Sequence, residues 1–148
     1  MTLPISAEHF VHGIPTISGV SISPDGTSIV YVRGTINIET GKPESQLWLC
    51  DIDGKNRRQL TNVGTANGNA AWSPDGASIA YTSQREGDHP SAICLLPLAG
   101  GESEVLTTHS TPPMSLTWSP DGKSIAYPLN VDPENPNETP RDPKAPAP

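Results

Sequence analysis

Short apolar runs separated by turns set the pattern of this chain. Extended runs at residues 19–23, 69–73 and 115–119 each carry a large apolar residue (Ile22, Trp72, Trp118) just before a Ser-Pro-Asp-Gly turn. A β-branched or aromatic run follows each turn, at residues 28–32, 78–82 and 124–127. Third runs occupy residues 46–52 and 91–98 and end in Asp53-Gly54 or Ala99-Gly100-Gly101, and fourth short runs close on Leu60 and Leu106. Runs of this length bounded by Gly, Pro, Asn and Asp read as strands and hairpins. Leu47, Trp48 and Leu49 are consecutive apolar residues, which suits a strand covered on both faces. A short helix is expected only near the start, over residues 6–10, with Ser6 as its cap.

The turns repeat. Pro24-Asp25-Gly26, Pro74-Asp75-Gly76 and Pro120-Asp121-Gly122 are spaced 50 and 46 residues apart, each preceded by Ser and followed two residues later by Ser-Ile. Pro presets the backbone of a turn, Asp bonds nearby N–H groups, and Gly takes the positive φ that closes the hairpin with a bulge. Four antiparallel strands per ~45 residues is the period of a propeller blade. The predicted fold is therefore all-β: an incomplete β-propeller of four-stranded antiparallel blades, about two and a half in number. An N-terminal segment (residues 1–16) precedes blades at 17–62 and 67–108 and a half blade at 114–130; residues 131–148 form a Pro-rich loop or linker. Propellers close with ~4–8 blades, so apolar blade faces are expected at both ends, and the chain reads as a portion of a longer protein.

Composition agrees with a turn-rich β chain. Pro and Gly supply 30 of 148 residues. A net charge of −7, with no basic run, excludes a generic nucleic-acid binder. No stretch approaches the ~20 apolar residues that cross a bilayer, and no secretory signal is visible at the start. The expected setting is cytoplasmic, without nucleic-acid or membrane partners. Cys50 and Cys94 are expected as buried free thiols on corresponding strands, offset by one position and so pointing to opposite faces.

Candidate chemistry is sparse. Asp25, Asp75 and Asp121 recur at one blade position, and their turn role accounts for them. Asp51-Ile-Asp53-Gly54 opens like a calcium loop, but Lys55 stands where an oxygen ligand is needed and no closing Glu follows. His9, His12, His89 and His109 show no spacing that fixes a zinc site. Neither cofactor nor metal is expected. Trp72 and Trp118 share a repeat column and are expected in blade cores. The prolines of 131–148 could suit a polyproline-binding partner, a weaker reading than a solvated linker. Arg85 and Glu86, after the second blade's second strand, are the one charged pair considered for substrate gating.

The order of these features resembles the N-terminal propeller of serine peptidases of the prolyl oligopeptidase family, nearest to the acylaminoacyl-peptidase and dipeptidyl-peptidase-like branch. The resemblance spans residues 5–135 and rests on Ser-Pro-Asp-Gly, Gln46-Leu-Trp-Leu49, Asp53-Gly-Lys-Asn-Arg-Arg-Gln-Leu-Thr61, the second Trp-Ser-Pro-Asp-Gly and Thr82-Ser-Gln-Arg-Glu-Gly87. It implies a propeller that filters peptides on their way to an α/β-hydrolase domain, with the remaining blades and that domain as partners. A nucleophile elbow needs Gly-x-Ser-x-Gly; Ser28, Ser78 and Ser124 follow Gly at that spacing but lack the second Gly, so no catalytic residue is expected here. TolB-type propellers share the Trp-Ser-Pro-Asp-Gly signature, which leaves a non-catalytic interaction scaffold as the alternative. A third possibility is assembly of copies into a ring.

Overall fold

The computed structural model describes residues 14–85 and 91–130. The expected helix at 6–10 and the Pro-rich segment 131–148 lie outside the described residues. Within them the chain is all β. The first blade comprises β1 (Thr16–Ile22), β2 (Ser28–Ile36), β3 (Pro43–Asp51) and β4 (Arg58–Gln59). The second comprises β5 (Ala66–Trp72), β6 (Ser78–Gln84), β7 (Ser91–Pro97) and β8 (Glu104–His109). A third begins with β9 (Thr117–Trp118) and β10 (Ile125–Ala126). Strands within a blade pair antiparallel in chain order, and one parallel pair, Ser45 with Ala66, links the first two blades. The stack is open: among the described residues β10 pairs only with β9.

Each Ser-Pro-Asp-Gly turn builds the same hydrogen-bond set. In the first, Gly26 N–H donates to Ser23 O at 2.9 Å, and Ser28 N–H donates to Ser23 Oγ, also at 2.9 Å. Ser23 Oγ–H in turn donates to Asp25 Oδ1 at 2.6 Å, and Thr27 N–H donates to the same oxygen at 3.0 Å. The second and third turns repeat these bonds with Ser73, Asp75 and Ser78, and with Ser119, Asp121 and Ser124. Gly26, Gly76 and Gly122 have φ of 74°, 71° and 69°, a region where a Cβ is costly. Successive turns also touch. A methyl on Gly76 would meet Pro24 Cδ at 3.7 Å, and one on Gly122 would meet Pro74 Cδ at 3.7 Å.

The runs before the turns are less regular than the sequence pattern implies. Both β1 and β5 carry a bulge, between Ser18 and Ser21 and between Gly68 and Ala71. Gly19 and Asn69 occupy equivalent places in these bulges, with φ of 56° and 49°. Asn tolerates this region better than other side chains do. Asn69 also uses its amide, donating to Thr82 Oγ1 at 3.3 Å and to Pro113 O in the β8–β9 connection at 3.2 Å.

Alternation along the strands sends side chains to opposite blade faces, and both faces are apolar. Val30, Val32 and Leu47 of the first blade meet Ile79, Tyr81, Cys94 and Leu96 of the second, all of them buried. The second blade's other face carries Ala80 and Ile93 against Leu116, Trp118 and Tyr127. A buried side chain of this size contributes about 1.5–3 kcal/mol. The register corrects the expectation for the cysteines. Cys50 lies opposite Ile29, and Cys94 opposite Tyr81. Counted from the repeat they are two positions apart, on the same side of their blades and not on opposite faces. Both are free and buried.

Replacing Gly26 by Ala, in open space at positive φ, should cost about 1 kcal/mol in urea unfolding. Gly64→Ala should cost on the order of 3 kcal/mol, because its Cβ would stand 2.5 Å from Ser83 Oγ and 2.8 Å from Gln84 O. Equal unfolding midpoints for the two variants would contradict this packing.

Candidate functional site

Two rims of the blade stack carry the polar chemistry. The turns form one. Between the first and second turns lies a groove of about 490 Å³ bordered by Pro24, Asp25, Arg58, Trp72 and Asp75. The Asp25, Asp75 and Asp121 carboxyls lie below their ordinary value of 3.8, first because the Ser hydroxyl two residues back donates to each, then because a backbone N–H does. Each thus has Oδ1 committed to its own turn. Trp72 and Trp118 pack at the blade interfaces and also cross them. Trp72 Nε1–H donates to Ser21 O at 3.3 Å, and Trp118 Nε1–H to Ala71 O at 3.1 Å. Ser21 and Ala71 are equivalent repeat positions, so one contact recurs at both interfaces.

The opposite rim holds a buried amide and hydroxyl network. Asn67 Nδ2–H donates to Gln46 Oε1 at 2.8 Å and to Val63 O at 3.0 Å. Thr61 Oγ1–H donates to the same Gln46 oxygen at 2.7 Å and accepts from Leu47 N–H at 2.9 Å. This network pins the crossover from β4 to β5 against β3. None of these residues stands out in the sequence, since single Asn, Gln and Thr residues carry no spacing signal. His109 is buried with its ring edge-on to Tyr127 at 5.3 Å, a packing position. His9, His12 and His89 lie outside the described residues.

Arg85 follows β6 directly. Its side chain turns back along the face toward the first blade, and Nη2–H donates to Cys94 Sγ at 3.4 Å. It therefore lies in the cleft between blades. Glu86 is outside the described residues, so the pair singled out in the sequence is not assembled among them. Burial raises the Cys94 thiol above its ordinary value, an effect that Arg85 partly offsets. Burial also raises the phenol of Tyr81, whose hydroxyl donates to Ser103 Oγ at 2.8 Å. Of the Ser residues in the three Gly-x-Ser strings, Ser28 and Ser78 begin β2 and β6 and Ser124 directly precedes β10, each as a turn partner. Among the described residues no three His, Cys, Asp or Glu side chains converge as a metal site would require.

Repeated four-stranded blades stacked face to face, tied by Trp-to-carbonyl bonds and closed by Ser-Pro-Asp-Gly turns, define a β-propeller of the TolB-like class. Residues 11–135 match the PD40 family, the TolB beta propeller domain, and the chain belongs to that family. An uncharacterized peptidase, YuxL, of Bacillus subtilis (strain 168) is 30% identical over 93 residues, 63% of this chain and 14% of its own length. Dipeptidyl-peptidase 5 of Porphyromonas gingivalis is 32% identical over 71 residues, 48% of this chain and 10% of its own. The matched stretch thus spans no more than about a seventh of these relatives. Among solved structures, acylaminoacyl peptidase of Pyrococcus horikoshii superposes with a TM-score of 0.67 at 17% identity, over 81% of this chain and 18% of that one, a likeness of fold. TolB from Acinetobacter baumannii superposes with a TM-score of 0.57 at 29% identity, over 74% of this chain and 25% of that one.

The turn carboxyls make stability pH-dependent with a definite sign. Because their folded values lie below 3.8, their contribution is present above that value and is lost as pH falls through the folded one. The Asp25→Asn, Asp75→Asn, Asp121→Asn triple variant should be less stable at pH 7. It should also lose less on acidification from pH 5 to 3, about the range in which free carboxyls titrate. Acid titrations followed by circular dichroism check this, and parallel curves would remove the carboxylates from the account.

Proposed function

We propose that this chain is the propeller portion of a serine peptidase, where it gates the access of peptides to an α/β-hydrolase domain lying outside these residues. The carrying observation is that an open stack of blades has peptidase relatives in which the matched stretch is a small part of the whole. An open stack leaves apolar faces to be covered, and further blades of the same repeat supply matching faces. A closed propeller over an active site admits chains narrow enough to enter and excludes folded proteins by size alone. In this role the chain contributes exclusion and support, and the nucleophile comes from the hydrolase domain. A cytoplasmic setting belongs to the same proposal.

The second reading is a non-catalytic interaction scaffold like TolB. It is favoured by the family's own description and by the 29% identity with the Acinetobacter protein.

Reading the source gene past codon 148 separates them. The peptidase reading expects more Ser-Pro-Asp-Gly repeats, then Gly-x-Ser-x-Gly and a later His. The complete protein should be labelled at that Ser by a fluorophosphonate, and the 148-residue chain should not. In the complete protein Trp72→Ala, which loosens one blade interface, should raise kcat/KM for long peptides relative to short ones. A stop codon at that point would pass the function to the scaffold reading, and an unchanged length preference would remove the gate.

A further inference from the structure

Arg85 is a partly buried cation that no anion answers among the described residues. Its Nη2–H is spent on a thiol, a weak acceptor, and its Nε is fully buried with no hydrogen-bond partner. Among the described residues the one ion pair joins Lys55 to Asp53, so no carboxylate there meets the guanidinium. Burying a guanidinium N–H without an acceptor is costly. Charged groups withdrawn from water are ordinarily paired.

The space beside Arg85 is large enough for a partner. It borders a cavity of about 520 Å³ between the first and second blades, and among the described residues it is the cavity's one cationic lining residue. Leu60, Val63 and Leu96 give the cavity apolar wall. Ser103 and Tyr81 bring hydroxyls, already joined to each other. Glu102, exposed, stands at the rim.

We propose that this cleft binds a carboxylate carrying an apolar substituent, taken by the Arg85 guanidinium. Adjacent guanidinium donors match the two oxygens of a carboxylate. One cation facing an acidic rim suits a single negative charge and opposes a dianionic phosphate. The apolar wall suits an aliphatic group next to the carboxylate. A peptide offers that chemistry at its C-terminus or at an acidic side chain. The inference stands on the cleft itself and does not depend on the peptidase reading.

The test is a titration of the full chain followed by NMR at the Arg85 Nε–H resonance, identified by its loss in Arg85→Lys. N-acetylleucine supplies a terminal carboxylate, N-acetylaspartate α-amide a side-chain carboxylate, and N-acetylleucinamide neither. A saturable shift with one of the two carboxylates, at least about tenfold tighter than with the amide, is the expected result, and the ligand that gives it identifies the source. Arg85→Lys, followed by backbone amides around Tyr81, should weaken binding about tenfold, because the ammonium keeps the charge and loses the paired donors. If that variant does not fold, Glu102→Gln at its exposed position decides. Removing the rim charge should tighten carboxylate binding about two- to threefold at low salt. The proposal is overturned if neither carboxylate gives a saturable shift, if chloride at equal ionic strength gives the same one, or if Glu102→Gln leaves the affinity unchanged.

Discussion

A four-stranded blade has two apolar faces and can cover neither by itself. Every other feature of this chain answers that constraint. The second blade meets it on both sides, with Ile79, Tyr81 and Cys94 toward the first blade and Ala80 and Ile93 toward the third. Apolar burial is non-directional, so it holds blades together without fixing their rotation or slide. The directional bonds do that. A Trp indole reaches the preceding blade's first strand at both interfaces, and a turn Pro packs against the next turn's Gly. On the opposite rim, Asn67 and Gln46 tie the crossover to the first blade. The second blade is thus positioned against the first at two separated places along its edge, which resists rotation about either one.

The turns were legible because they are self-contained. Ser, Asp and Gly within four residues satisfy one another's groups, so local sequence suffices. The strands after the turns were legible for a related reason: pairing across a tight hairpin leaves little choice of register. Other features depend on distant partners. β4 is reduced to Arg58–Gln59 although its run resembles that of the longer β8. The bulges at Gly19 and Asn69 interrupt runs that read as continuous. A count along the third strands does not give the cysteine faces, because the face is set by the partner across the sheet, Ile29 for Cys50 and Tyr81 for Cys94.

The candidate site was less legible than the fold. Arg85 drew attention for its neighbour in sequence, yet its side chain is organised by Cys94, across the β6–β7 pair, and by the face of the other blade. No linear spacing places Thr61, Tyr81 and Ser103 around one cavity. Likewise, Gln46 on β3, Thr61 in the crossover and Asn67 on β5 become a network only when the crossover folds back on β3. Where the function of a residue is to close its own turn, sequence reveals it; where it joins two blades, the stack must be known.

The outer face of the first blade shows how far the repeat's logic extends. Ile29, Tyr31, Trp48 and Cys50 occupy the places that Ile79, Tyr81, Cys94 and Leu96 occupy in the second blade, on the side that the second blade turns toward the first. The apolar character is kept, and Ile17, Val20 and Ile22 on β1 are each more than half exposed. The directional contact is not kept. Ile22 stands where Trp72 and Trp118 donate to a neighbouring blade, and it has no N–H to give. The first blade's Trp lies instead on β3, with the Arg33 guanidinium 5.1 Å from its ring. Its position is therefore set within its own blade, whereas the Trp residues of the later blades bind the preceding one. A partner blade on this face would have the same apolar surface to bury as at the internal interfaces, but without the indole bond that fixes their alignment. Its alignment there would have to come from shape and from contacts of its own.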